Sequence, residues 1–114
     1  RLLPGPYTFI LPAAKNAPKK LWGKRKTVGI RIPDHLVALK IVEGLGNPIV
    51  STSTTTRKGD LLLDPLEIKS VFDFQVDLML ASGNLSGKPS SVIDLSDDEP
   101  VIVREGAGDI SAFT

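Results

Sequence analysis

Thr27, Gly29 and Arg31 alternate with Val28, Ile30 and Ile32 in the stretch Lys26-Thr27-Val28-Gly29-Ile30-Arg31-Ile32-Pro33-Asp34-His35. Alternation of this kind predicts a strand with one apolar face. The other face carries a hydroxyl, a bare backbone and a guanidinium in a row. Glycine weakens a strand interior, yet it lets another group approach the backbone closely. Arginine can grip an anion through two parallel hydrogen bonds. The pattern suits a floor for a small anionic ligand. It also suits an arginine in a surface ion pair, which contributes little.

Two other places bring similar groups together. Ser51-Thr52-Ser53 followed by Thr54-Thr55-Thr56 puts hydroxyls at the end of an apolar run, where they can hold phosphate or carboxylate or simply form a threonine-rich edge. Ser90-Ser91 with Arg104 would join neutral donors to a cation if they face one cleft. His35 is either a general base or a residue of a helix's first turn. Asp73, Asp77 and Asp94 are of the right type for magnesium, but their spacing does not demand it. The chain has no phosphate-binding glycine loop, no dinucleotide fingerprint and no nucleophile elbow. Polar groups at strand positions and strand ends are then the places to expect a ligand.

Composition narrows the classes. A hydrophobic content of 41% suits a soluble globular domain rather than disorder. No apolar run approaches the roughly 20 residues that span a bilayer, so no membrane partner is expected. With no cysteine there is no disulfide framework and no thiolate site, and a reducing cytoplasm is the simplest location. A net charge of +1 excludes a strongly basic nucleic-acid binder. Charge is uneven, however. Lys15, Lys19, Lys20, Lys24, Arg25 and Lys26 crowd one short segment, either as a solvated face or as a patch for RNA or polyphosphate.

The elements that must position these groups follow from turn and cap signals. Pro4-Gly5-Pro6 predicts a turn, and Tyr7 to Leu11 a strand with Tyr7, Phe9 and Leu11 on one face. A short helical turn falls around Pro18 to Trp22. After the Thr27–Arg31 strand, Asp34 is read as the N-cap of a helix from His35 to Leu45, closed by Gly46. Pro48 to Ser53 reads as a strand, Thr54 to Asp60 as a polar loop and Asp64-Pro65-Leu66-Glu67 as a helix start. Val76 to Leu80 reads as a further strand, and the segment from Ala81 to Pro89 as a loop. Ser90 to Leu95 and Val101 to Arg104 read as a closing hairpin. The sum is mixed α/β with an open, partly antiparallel sheet and one domain.

Several segments, in this order, resemble the YrdC/YciO family, whose better-known members are threonylcarbamoyl-AMP synthases. They are Leu3-Pro4-Gly5-Pro6-Tyr7-Thr8, the stretch Lys26 to His35, Gly46-Asn47-Pro48-Ile49-Val50-Ser51-Thr52-Ser53, Gly87-Lys88-Pro89-Ser90-Ser91-Val92-Ile93-Asp94 and Val103-Arg104-Glu105-Gly106. The resemblance implies a twisted, open, mixed α/β sheet with helices and a concave, positively charged cavity. It implies residues 1–114 as the later part of a single YrdC-like domain, whose N-terminal part carries a Lys-x-Arg motif. Such a part by itself is expected to leave an apolar face or edge uncovered. The implied substrates are ATP, L-threonine and bicarbonate, with magnesium accompanying ATP. The product is threonylcarbamoyl-adenylate, used in transfer RNA modification, and the family is also ascribed double-stranded RNA binding. By resemblance, Thr27, Thr55 and Arg104 face nucleotide, and Arg31, Ser53 and Ser90 face threonine. Thr55 stands where synthases usually carry asparagine, and Glu105 where many carry proline. The first departure points to the YciO-like branch and to weak or altered synthase activity. A double-stranded RNA or transfer RNA binding module without synthase activity is the alternative.

Overall fold

Tyr7 to Pro12 alternates aromatic or aliphatic side chains with Thr8, Ile10 and Pro12, and it forms the strand on which the sheet is built. The computed structural model describes every residue except 17, 23, 24 and 84–86. Lys24 of the basic segment and part of the expected loop from Ala81 to Pro89 lie outside the described residues. The chain divides into two compact units, Arg1–Lys40 with Lys88–Thr114, and Ile41–Gly87.

The first unit holds a four-stranded sheet of β1 (Tyr7–Pro12), β2 (Thr27–Arg31), β3 (Ser91–Asp94) and β4 (Val101–Arg104), in the order β2-β1-β3-β4. β1 runs antiparallel to β2 and parallel to β3, and β3 runs antiparallel to β4. This is the open mixed sheet expected, with the closing hairpin in place. A short 3-10 turn, Lys19–Leu21, lies on the path from β1 to β2.

One face of this sheet is aromatic. Tyr7 and Phe9 stack with ring centroids 5.6 Å apart, and Phe113 from the end of the chain tilts against both. Ile93 is fully buried in β3. The segment after β4 is tied down by hydrogen bonds as well as by Phe113. The Ser91 hydroxyl donates to the Gly108 carbonyl at 2.6 Å and accepts from the Gly106 N–H at 2.9 Å. Tyr7 donates its phenol to the Asp109 carbonyl at 3.0 Å. Gly108 lies flat on the Tyr7 ring, where a Cβ would come within 2.5 Å of a ring carbon. Only glycine allows that approach.

α1 (Leu36–Leu45) begins one residue later than Asp34 would set it. His35 is the residue that caps it. Its carbonyl accepts from the Leu39 N–H, and its Nδ1 accepts from the Val37 N–H at 3.2 Å. Asp34 sits one position too early for its side chain to reach the orphan N–H groups of the first turn. The expected glycine close is present, since Gly46 has φ of 81° and its N–H returns to the Val42 carbonyl. Leu36, Val37, Ile41, Val42 and Leu45 of this helix stay exposed.

In the second unit, α2 (Pro65–Phe72) starts as its sequence dictates. Asp64 accepts from the Leu66 N–H at 3.0 Å, and Pro65 occupies the first turn. The two strands expected at Pro48 to Ser53 and Val76 to Leu80 are absent, and both segments are irregular. β-rich composition makes a strand only where a partner backbone accepts its hydrogen bonds. Among the described residues of this unit, the pairing is a single isolated bridge between Thr55 and Leu61. Ile49, Val50, Val76, Leu78 and Leu80 are accordingly exposed, as is Phe74 at 98%. The sheet therefore has four strands, not six.

Two substitutions test this account by urea unfolding. Ser91→Ala leaves the Gly106 N–H and the Gly108 carbonyl without their partner and should cost about 2 kcal/mol. Gly108→Ala drives a methyl into the Tyr7 ring and should cost about 1–3 kcal/mol. Unchanged midpoints for both would mean that the final segment does not depend on this seam.

Candidate anion-binding face

The face of the sheet opposite the aromatic cluster carries the charged and hydroxyl groups. Strand register places Arg31 opposite Thr8, Thr8 opposite Val92, and Val92 opposite Arg104. These four residues form one row across all four strands. Neighbouring strands lie about 4.8 Å apart, so the two arginine Cα atoms stand on the order of 14 Å apart along the row. Both arginines are exposed.

Their environments differ. Arg104 is oriented by the start of β3. Its Nε donates to the Ser90 carbonyl at 2.9 Å, and its Nη2 donates to the Ser90 Oγ at 3.1 Å. Ser90 is only 4% exposed, and its hydroxyl also lies 2.7 Å from the Thr8 Oγ1. Arg104 thus uses two of its five N–H groups inside the protein and keeps three for a ligand. Arg31 makes no hydrogen bond or ion pair with any described residue, so the ion-pair reading of this side chain finds no partner there. Thr8 and Val92 lie between the arginines, and Gly29 lies beside Arg31 on β2, opposite Ile10. A Cβ added at Gly29 would meet only the Thr8 Cγ2, at an ordinary 3.5 Å. The fold does not require glycine at this position, in contrast to Gly108.

Carboxylates on this side of the sheet do not neutralise the row. Asp94 shares the face, with Ile10 as its partner on β1. Its carboxylate accepts from the Ser96 hydroxyl at 2.6 Å and the Ser96 N–H at 2.9 Å, and Arg25 lies 3.9 Å away. The Ser96 hydroxyl and N–H hold this carboxyl below its usual range, Arg25 adds a smaller pull, and partial desolvation opposes them. Arg25 also pairs with Asp97, so it is committed to the β3–β4 turn.

The sequence-derived candidates divide clearly. Arg31, Ser90 and Arg104 gather at one end of the sheet face. Thr27 shares their face but lies at the other end of β2, opposite Pro12. Four residues of strand put it roughly 13 Å from Arg31. Ser53 and Thr55 belong to the second unit. There Thr54 donates its hydroxyl to the Leu62 carbonyl, and Thr56 accepts from the Asp60 N–H. Those two hydroxyls close the loop, leaving Ser53 and Thr55 as the ones not engaged with described residues. Ser91, paired with Ser90 in the sequence reading, turns to the opposite face and serves the fold. Thr8 joins the row without having been counted among the site candidates. The signal was its place among Tyr7, Phe9 and Leu11 as the polar residue of the alternate face. Asp73, Asp77 and Asp94 do not converge, and no group of three or more potential metal ligands occurs among the described residues. No helix of the described residues is long and apolar enough to cross a membrane.

A sheet of this order with such a face defines a class that comparison with known proteins makes specific. The model of the Sua5, YciO and YrdC family, described as "Telomere recombination", matches residues 1–106, and the chain belongs to that family. It is 47% identical over 112 residues to the protein YciO of Escherichia coli, covering 96% of this chain and 54% of that one. The crystal structure of Escherichia coli YciO superposes with a TM-score of 0.92 over 97% of this chain and 55% of that chain. A more distant relative is the threonylcarbamoyl-AMP synthase of Pyrococcus abyssi, 31% identical over 93% of this chain and 32% of the synthase. The crystal structure of Pyrococcus abyssi Sua5 complexed with L-threonine matches at a TM-score of 0.83 and 30% identity, over 91% of this chain and 31% of that chain. The chain therefore spans about half the length of its YciO relatives and about a third of the synthase.

Asp94 supplies a pH dependence that can be checked. A carboxyl held lower in the folded state than in the unfolded chain adds stability above the unfolded value, and that stability is lost as pH falls through the folded value. Asp109, held down by the Ser111 N–H and hydroxyl, acts in the same direction. Thermal midpoints should be flat with respect to these groups from neutral pH to about pH 5 and fall below about pH 4. Ser96→Ala should make that acid decline shallower. An identical decline in the variant would show that the Asp94–Ser96 contact carries none of it.

Proposed function

We propose that this protein binds L-threonine and ATP and has weak or altered threonylcarbamoyl-AMP synthase activity, linked to transfer RNA modification. The observation that carries this reading is the row of two arginines without carboxylate partners among the described residues, with a glycine that the fold itself does not need beside Arg31 on β2. The spacing suits a ligand, or a pair of ligands, with an anionic group at each end. The relative with a threonine-bound structure gives the reading its chemistry.

In this reading Arg31 clamps the threonine carboxylate through a fork of N–H groups, with Ser90 supporting the threonine end. Arg104 faces the phosphates, with Thr27 toward the nucleotide. The reaction joins threonine, bicarbonate and ATP. The threonine amine takes up the carbon of bicarbonate with loss of water. A carbamate oxygen then attacks the α-phosphorus, and diphosphate leaves with the electrons of the broken P–O bond. No protein nucleophile is required. The work is alignment of the carbamate with the phosphorus and neutralisation of phosphate charge. The described residues offer no carboxylate cluster for a resident metal, so magnesium enters only as a companion of the ATP phosphates.

A second reading has its own observation. Lys19 and Lys20 are exposed on the 3-10 turn, and Lys26 lies 5.9 Å from the Trp22 ring. Together with Lys15 they form a basic edge suited to double-stranded RNA or transfer RNA. Arg25 is already spent on Asp94 and Asp97, which weakens that edge. RNA affinity that does not fall between 50 and 200 mM salt, on the order of tenfold or more for several phosphate contacts, would exclude it.

Calorimetric titration of the intact protein tests the main reading. Arg31→Ala should lower L-threonine affinity about 10–100-fold, and Arg104→Ala should do the same for ATP. Gly29→Ala should fold with an unchanged melting temperature, since its methyl makes only an ordinary contact with Thr8, and should still lose affinity because that methyl stands beside Arg31 on the proposed ligand face. Wild-type protein that binds neither ligand at millimolar concentration would end the proposal.

A further inference from the structure

We infer that Thr8 is a ligand-binding residue, whose hydroxyl donates to the anionic group held by Arg31, and that Ser90 is the buried link polarising it. The inference rests on the reading of this face as a threonine and ATP site.

The argument begins with which atom can donate. The Arg104 guanidinium has no acceptor, so in its 3.1 Å contact the Ser90 Oγ must accept. Ser90 is 4% exposed, so its own hydrogen needs an acceptor within the protein. Among the described residues, the Thr8 Oγ1, at 2.7 Å, is the acceptor available to it. The opposite arrangement, with Thr8 donating, would leave the Ser90 hydrogen orphaned in a buried position. The chain of bonds therefore runs from Arg104 to Ser90 to Thr8, each donor strengthened by the cation behind it. Thr8 is left with its hydrogen free. It is half-buried in β1 and stands directly across from Arg31 in the β1–β2 register.

The consequence is specific. The hydroxyl beside Arg31 has its hydrogen available to donate, and it favours a carboxylate over a neutral amide. Ser90, closed in by Thr8 and Arg104, acts through Thr8 rather than by touching the ligand.

The test uses the intact protein, with L-threonine and its neutral analogue L-threoninamide as probes. Thr8→Val keeps a β-branched side chain in a strand and should fold. It should weaken L-threonine binding about tenfold and L-threoninamide binding by no more than about threefold, since a charged acceptor gains most from a donor. Thr8→Ser should restore L-threonine binding to within about threefold of wild type. Ser90→Ala should shift L-threonine affinity in the same direction as Thr8→Val, and the double variant should lose no more than the worse single one, because the two hydroxyls act in series. Equal losses for both probes, with a lowered melting temperature, would assign Thr8 a packing role and overturn the inference. Wild-type binding of L-threonine that Thr8→Val leaves intact would overturn it alone. Failure of the wild type to bind L-threonine would overturn it together with the reading on which it rests.

Discussion

The structure of the first unit depends on two adjacent serines at the start of β3. Successive residues of a strand point to opposite faces. Ser91 therefore faces the aromatic side, where one hydroxyl secures both Gly106 and Gly108. Ser90 faces the arginine side, where one hydroxyl meets both Thr8 and Arg104. Both are buried, and each has its donor and its acceptor capacity in use. Buried hydroxyls are costly unless satisfied, so each serine fixes its neighbours as firmly as they fix it. The seam on one side holds the final segment against Tyr7. The seam on the other side sets the guanidinium of Arg104. A close approach near Gly106 couples the two, since a Cβ there would collide with the Pro89 and Ser90 backbone.

This coupling explains how a small sheet keeps two cations exposed on one face. Isolated surface arginines are flexible, and holding one in place costs rotamer entropy. Arg104 has that entropy removed by two hydrogen bonds to Ser90 before any ligand arrives. Arg31 has no comparable tether among the described residues. It lies on an edge strand, so on the proposed reading ordering it is left to the ligand. The two ends of the row thus have different energetics: one pre-organised, one recruited. The carboxylate that might have quenched the row, Asp94, is turned to Ser96 and Arg25 instead.

Much of this was legible in the sequence, because side-chain alternation is a local rule. Thr27, Gly29 and Arg31 on one face, Tyr7, Phe9 and Leu11 on another, the Asp64-Pro65 helix start and the closing hairpin all follow from residues close in the chain. What failed was pairing. Pro48 to Ser53 and Val76 to Leu80 have the composition of strands, but a strand is completed by a partner that composition does not reveal. The α1 cap failed for a subtler reason. Asp34 is the better capping type, yet the backbone turns at His35, and the imidazole nitrogen does the work. The Thr8–Ser90–Arg104 chain joins residues 82 and 14 positions apart. The sequence reading sets Ser90 beside Arg104, but no spacing rule could add Thr8, which it reads only as part of a strand.

Thr55 bears on how far the proposed chemistry can go. An asparagine amide both donates and accepts and extends well beyond the backbone, whereas a threonine hydroxyl is shorter and offers a single hydrogen. Its neighbours cannot make up the difference. Thr54 and Thr56 have committed their hydroxyls to Leu62 and Asp60 in closing the loop. A nucleotide served by Thr55 therefore meets one short donor where an amide would give it two functions. Charge-based holding of an anion, as proposed for the arginine row, tolerates such a change, whereas the proposed alignment of a carbamate with an α-phosphorus is a matter of tenths of an ångström rather than of charge. On the proposed reading, binding and turnover are expected to separate in this protein: two arginines suffice to hold anions, whereas a hydroxyl in place of an amide is a weaker means of alignment.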